Sequence, residues 1–227
     1  MIEFFAALAL FLLSHAIPAR PALRQRLAGA LGERTYQLLY SLLSLVLLFW
    51  LISAAARAPY VPLWDPTIGQ YWMPVAAMLP ALILLAGGAI APNPLSISFS
   101  RRPFDPARPG IVTVTRHPLL WAFAIWAFAH VVPNGDLVSL IMFGGFGLFA
   151  LAGMALIDRR KRRQLGSEWE RLARRTSVVP FAPLAERRLP WDMRGLLLAT
   201  VLGTLLYVAL LHLHPWLFGP DPRAAFA

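Results

Sequence analysis

The sequence predicts an all-α, polytopic membrane bundle of six transmembrane helices with both termini on the periplasmic side. Three observations carry that reading. Hydrophobic residues make up 58% of the 227 and charged residues only 14%, uncharged runs of spanning length recur along the chain, and the basic residues collect in alternate gaps between those runs. A soluble domain averages about 45–50% apolar and about 25% charged residues, so a water-soluble globule is excluded. The formal net charge of +10 would suggest nucleic acid on a polar chain. Here the cations flank apolar runs, and the lipid bilayer, with no nucleic acid, is the expected partner. The absence of cysteine excludes disulfides, thiolate metal sites, iron–sulfur clusters and covalently attached haem.

A hydrocarbon core about 30 Å thick takes about 20 apolar residues of helix. Runs of that order lie at 4–19, 35–56, 71–90, 118–132, 137–157 and 195–213. Arg34 and Arg57 bracket the second, and Asp136 and Asp158 the fifth. The first and fourth are short, about 24 and 22 Å at a rise of 1.5 Å per residue, which predicts places inside the bundle. Met1, Ile2 and Glu3 lack the positive charge of a signal-peptide n-region, so the first run is read as a retained helix. In the fifth, Gly144, Gly145, Gly147 and Gly153 predict close helix approach. Asn134, Gly135 and Asp136 predict a tight turn with Asp136 as N-cap of the following helix. The chain divides into a domain of residues 1–190 and an additional C-terminal helix with a short tail, 191–227.

Orientation follows from Lys and Arg. Four lie between runs one and two (Arg20, Arg24, Arg26, Arg34), four between three and four (Arg101, Arg102, Arg108, Arg116) and eleven between five and six, from Arg159 to Arg194. Only Arg57 and Arg223 fall on the other side. The crowded side is cytoplasmic. The polar stretch 158–194 is read as an amphipathic or loop segment on that surface, where basic residues each gain about 1 kcal/mol on anionic headgroups.

Ionisable groups within spans are costly and hence functional candidates. His15 lies near the cytoplasmic end of the first run, His130 deep in the fourth, and His117 at that run's cytoplasmic mouth beside Arg116. A buried neutral imidazole suits haem iron or another transition metal. The structural alternative is that each ring caps a carbonyl, and it is preferred for His212 and His214, which stand about 200° apart around a helix. His117 and His130 are about 20 Å apart along one helix and cannot share a small metal site. Phe123, Trp126 and Ala127 beside His130 form a wall suited to a flat apolar ligand or to ordinary packing.

Several motifs in order then carry a resemblance: Ser14-His15, the tyrosine-rich run from Tyr36 (YQLLYSLLSL), TRHPLLWAFAIWAFAHVVPNGD from Thr115, and the glycine-rich run ending in Asp158-Arg159-Arg160. Over about residues 1–190 the chain resembles the NnrU family, bacterial membrane proteins associated with nitrite and nitric oxide reduction. That family is similar to plant zeta-carotene isomerase, a membrane enzyme whose haem b is held by two histidines. The resemblance implies His15 and His130 as axial ligands, with Arg116, His117, Trp126 and Phe123 lining the cofactor, and a place in the bacterial inner membrane. It also implies a nitrite or nitric oxide reductase system as partner. Arg116-His117-Pro118, Gly166 to Trp169 and Val179-Pro180 are similar to the membrane methyltransferases of the isoprenylcysteine carboxyl type, which bind S-adenosylmethionine. Leu119 and Leu120 stand where that family has tyrosine, and Asp158-Arg159-Arg160 replaces its acidic pair. The expected function is therefore a b-haem redox or isomerase-type protein. A non-enzymatic accessory factor and a methyltransferase are the alternatives.

Overall fold

A computed structural model of the chain describes residues 1–15, 21–186 and 189–226. The last four residues of the first expected span, together with Arg20, Arg187 and Arg188, lie outside the described residues. The described backbone is helical, apart from turns and one isolated antiparallel bridge between Pro62 and Asp136. Its helices are α1 (Ile2–His15), α2 (Pro21–Leu31), α3 (Glu33–Arg57), α4 (Ile68–Ile90), α5 (Pro118–Val131), α6 (Leu137–Leu165), α7 (Ser167–Ala173), α8 (Ala182–Ala185) and α9 (Met193–Phe218). Among the described residues four helices, α3, α4, α6 and α9, are long and apolar enough to cross a membrane. Helices α1 and α5 are apolar but have 14 residues each, about 21 Å of rise. The all-helical membrane architecture therefore stands, with four helices of full spanning length where six spans were expected.

The chain divides into two compact units. The first comprises residues 1–63 and 136–142. There α1 packs along α3, and Glu3 accepts hydrogen bonds from Trp50 Nε1 (3.1 Å) and Arg57 (2.6 Å). Hydropathy alone does not reveal α2, because Arg24, Gln25 and Arg26 make it polar. Its opening proline suits a first helical turn, where no N–H partner is needed. Asp136 Oδ1 accepts from Ser139 N at 3.0 Å, the N-cap expected for α6.

The second unit comprises residues 64–135 and 143–227. Its centre is α4, flanked by α5 and α9, over a core of Leu84, Ala91, Ile111, Val114, Ala122 and Ala199. Gly203 sets the spacing of α9 on α4: a Cβ there would lie 2.5 Å from Ile83 Cα. Tyr207 donates to the Val75 carbonyl at 3.1 Å, a second tie between α9 and α4. Asp192 caps α9 through Gly195 N (3.0 Å) and also accepts from Gly110 N (3.0 Å), fastening the helix start to a 3₁₀ turn at Gly110–Thr113. Of the glycines on α6, Gly147 takes up the Phe128 ring, a Cβ there lying 2.5 Å from it, while Gly145 faces open space.

The segment after residue 157 departs from the expected surface strip. Helix α6 runs on to Leu165, and Leu172, Thr176 and Leu189 are buried. Backbone bonds explain the difference: Arg116 N donates to Ser177 O (2.8 Å) and Phe181 N to Val114 O (2.8 Å). A polar stretch can fold inward once its carbonyls find such partners.

Candidate functional site

The turn that leads into α5 gathers the densest buried polar network. His117 is its N-cap residue, with non-helical backbone, and Pro118 takes the first helical position. Pro at that position restricts the preceding residue and holds Arg116 and His117 out of the helix. His117 is fully buried and Arg116 is 7% exposed. One carboxylate serves both. Asp158, on the extension of α6 beyond its apolar run, accepts from Arg116 at 2.9 Å and from His117 Nε2 at 3.1 Å. With Nε2–H donating to Asp158, Nδ1 accepts from the Ser96 hydroxyl at 2.7 Å. Asn93 donates to the Arg116 carbonyl (2.9 Å), and Arg116 donates further to the carbonyls of Ala173 (3.3 Å) and Thr176 (3.2 Å). Thr115 and Trp121 both donate to the Val178 carbonyl, at 2.9 and 2.7 Å.

The chain Ser96–His117–Asp158 has the order of an activated nucleophile, its base and its orienting acid. Ser96 is only 6% exposed, and the carboxylate is shared with a guanidinium. These groups hold α5, α6 and the 173–178 segment together. Sequence reasoning found Arg116 and His117 but took Asp158 for a span boundary and missed Ser96, Asn93 and Thr176.

Outward of this network Trp169 stands between two guanidinium groups, Arg116 at 5.6 Å and Arg162 at 5.5 Å from its ring centroid. On α7, Arg171 hydrogen-bonds to Glu168 and holds its carboxyl below the ordinary carboxylate range.

The other end of α5 is aromatic. His130 donates Nδ1–H to the Trp126 carbonyl at 2.7 Å, which leaves Nε2 as the lone-pair nitrogen. Its ring centroid lies 5.7 Å from Trp126 and 5.5 Å from Phe143. Phe123 meets Trp126 edge-on at 5.2 Å and is half exposed. Phe123, Trp126 and His130 thus form one ring series along a helix face, while His117 closes the opposite end and shares no site with them.

His15 belongs to the first unit and is described within it. It ends α1, donates Nδ1–H to the Phe11 carbonyl at 2.7 Å, and has the Phe11 ring at 4.3 Å and Tyr40 at 6.0 Å. Tyr40 stacks on the buried Tyr36 (6.2 Å). Both line a concavity of about 310 Å³ with Arg24, Gln37 and Ser41. Sequence reasoning read these tyrosines as a motif without a role. His212 and His214 donate to the carbonyls of Val208 and Pro220, the capping expected of them.

The profile of the family described as NnrU protein matches residues 3–222. The chain belongs to the NnrU family. Two curated relatives are the 15-cis-zeta-carotene isomerases, chloroplastic, of Arabidopsis thaliana and Zea mays, 36% and 38% identical over 85 residues. Those residues are 37% of this chain and 23% of each relative, so the chain matches about a quarter of their length. No solved structure matches it.

Haem b is the cofactor the family resemblance implies, and the donor set can be tested for fit. Among the described residues no three His, Cys, Asp or Glu side chains cluster to cage a bare ion. A macrocycle brings four nitrogens of its own and asks the protein only for axial groups. His15 and His130 each have the tautomer that presents Nε2, fixed by a backbone carbonyl, as metal-ligating imidazoles do. His117 spends both nitrogens on Ser96 and Asp158. Taken each within its own unit, the His15 and His130 rings have the tautomer a haem ligand needs, whereas His117 has both ring nitrogens engaged.

Proposed function

We propose that this chain is a multi-pass protein of the bacterial inner membrane that holds haem b through axial His15 and His130 and carries out redox or isomerase-type chemistry. The observation that carries the reading is the aromatic surround of these two imidazoles, Phe11 and Tyr40 about His15 and Trp126 and Phe143 about His130; the Nδ1–H bond to the carbonyl four residues back, which His212 also makes, only sets the tautomer. Haem would supply an iron centre, and the Phe11 and Trp126 carbonyls, accepting from Nδ1–H, would raise the basicity of the two imidazoles that hold it. The chain's own residues orient those rings and keep water from them: Phe11 and Tyr40 around His15, and Trp126 and Phe143 around His130. Arg116 and His117 support the fold in this reading, instead of lining the cofactor. In the same reading six helices cross the bilayer, α1 and α5 as short interior spans, and both termini face the periplasm.

The activity in the curated relatives' name is isomerisation of a long apolar polyene. A substrate of that class is proposed here alongside the link to nitrite and nitric oxide reduction. Purification in mild detergent, with oxidised and dithionite-reduced spectra, tests the cofactor. A Soret band is expected, lost in both His15→Ala and His130→Ala and kept in His117→Ala. A folded, colourless protein removes the proposal and leaves the accessory-factor reading, which the closed Arg116–His117–Asp158 network favours for that cluster. Calorimetry with S-adenosylmethionine, with His117→Ala as control, tests the methyltransferase reading. No binding is expected, since Asp158 already engages both Arg116 and His117.

A further inference from the structure

Beside the buried network, Arg116, Arg162, Trp169, Glu170, Ala173 and Arg174 line an open concavity of about 340 Å³. Three guanidiniums face one carboxylate there. Arg116 is immobilised by Asp158 and by the carbonyls of Ala173 and Thr176, so its charge is held at a fixed place. Glu170 is engaged by Arg162 at 3.2 Å. Arg174 is exposed and adds a cation on the rim.

Trp169 adds a rigid aromatic wall: the guanidiniums of Arg116 and Arg162 lie over its ring, and its Nε1, closed to solvent, does not open onto the concavity. Forked cationic donors held at fixed places complement a group with several anionic oxygens. The neighbouring Arg159, Lys161, Arg163, Arg171 and Arg175 raise the local positive potential and concentrate anions there.

We propose that this concavity binds a phosphate group, presented either by an anionic phospholipid headgroup or by a soluble phosphate compound. The site goes beyond the haem reading and stands or falls separately from it. Its position just past the end of the 137–157 apolar run lies at headgroup level if that run spans the bilayer.

The test uses the full chain in mild detergent, delipidated and followed by native mass spectrometry. It is titrated with phosphatidylglycerol, with phosphatidylcholine of the same acyl chains, and separately with inorganic phosphate and glycerol phosphate. Three variants are compared, each checked for wild-type circular dichroism: Arg162→Gln with Arg174→Gln, Trp169→Phe, and Arg159→Gln with Arg163→Gln. The last pair removes equal charge outside the concavity. The expected loss for the lining pair exceeds that for the outside pair by about tenfold, because only the lining pair makes directed contacts in addition to the diffuse attraction. Trp169→Phe keeps an aromatic face under the guanidiniums and is expected to bind within about twofold of wild type. Phosphatidylglycerol retained over phosphatidylcholine, with no competition from soluble phosphates, assigns the lipid. Binding of a soluble phosphate with the same variant dependence assigns the soluble source. Equal losses for the two arginine pairs, or no binding of either kind, overturn the proposal.

Discussion

Asp158 accepts from one buried guanidinium and one fully buried imidazole, so its removal takes an acceptor from each. Breaking a buried pair by deleting one partner costs about 3 kcal/mol, and the carbonyls of Ala173 and Thr176, which Arg116 keeps as acceptors, make that figure the upper end here. Asp158→Ala is expected to lower the thermal midpoint in detergent by an amount on that scale. Asp158→Asn, which keeps an acceptor oxygen, should lose less. An unchanged midpoint for the alanine variant would remove the structural role. The sequence made Arg116 and His117 visible, since Arg-His-Pro is a compact donor group at a helix start. Asp158 was hidden by its position as the polar flank of an apolar run. Its signal was there nonetheless: one carboxylate followed directly by five cations, Arg159 to Arg163, invites the question of which group it neutralises. Ser96 and Asn93 reach partners 21 and 23 residues away, and nothing in local periodicity points to such contacts.

At the scale of helices, contact between α4 and α9 depends on a missing side chain. A methyl at Gly203 would meet the backbone of Ile83, and backbone does not yield as a flexible side chain does. Gly203→Ala is expected to cost about 1–3 kcal/mol by overpacking, and Gly145→Ala, facing open space, close to nothing. Comparing both by unfolding in detergent checks the assignment, and equal effects would contradict it. Asp192→Ala removes a cap and a tie to Gly110 together, with an expected loss of about 1–2 kcal/mol. Apolar runs located α3 and α4 to within three residues, while α6 and α9 continue eight and five residues past the ends of theirs. Hydropathy failed at α2 and beyond residue 157, where helix formation and burial are decided by backbone hydrogen bonds to distant segments and not by a side-chain pattern.

At the scale of the molecule, the asymmetry of Lys and Arg makes orientation testable, and the cysteine-free sequence supplies a silent background for labelling. Tyr60→Cys, at an exposed position after α3, should react with an impermeant maleimide in intact cells. Arg163→Cys should react only after the membrane is opened. The reverse pattern would invert the proposed topology. The all-helical membrane class was legible from composition and charge alone. The network that organises the second unit was not, because it joins residues from four separated stretches of sequence, 93–96, 115–121, 158 and 173–178.

One consequence follows from the way α5 and α6 are shared. Helix α5 has His117 at one end and His130 at the other, while α6 presents Asp158 to the first and Phe143 to the second. The two rods are tethered at both ends over about 20 Å. A screw displacement of α6 that re-seats Phe143 beside Trp126 must also drag the carboxylate off Arg116. The buried ion pair therefore acts as a latch on the far end, resisting any loosening of the rings that depends on that movement.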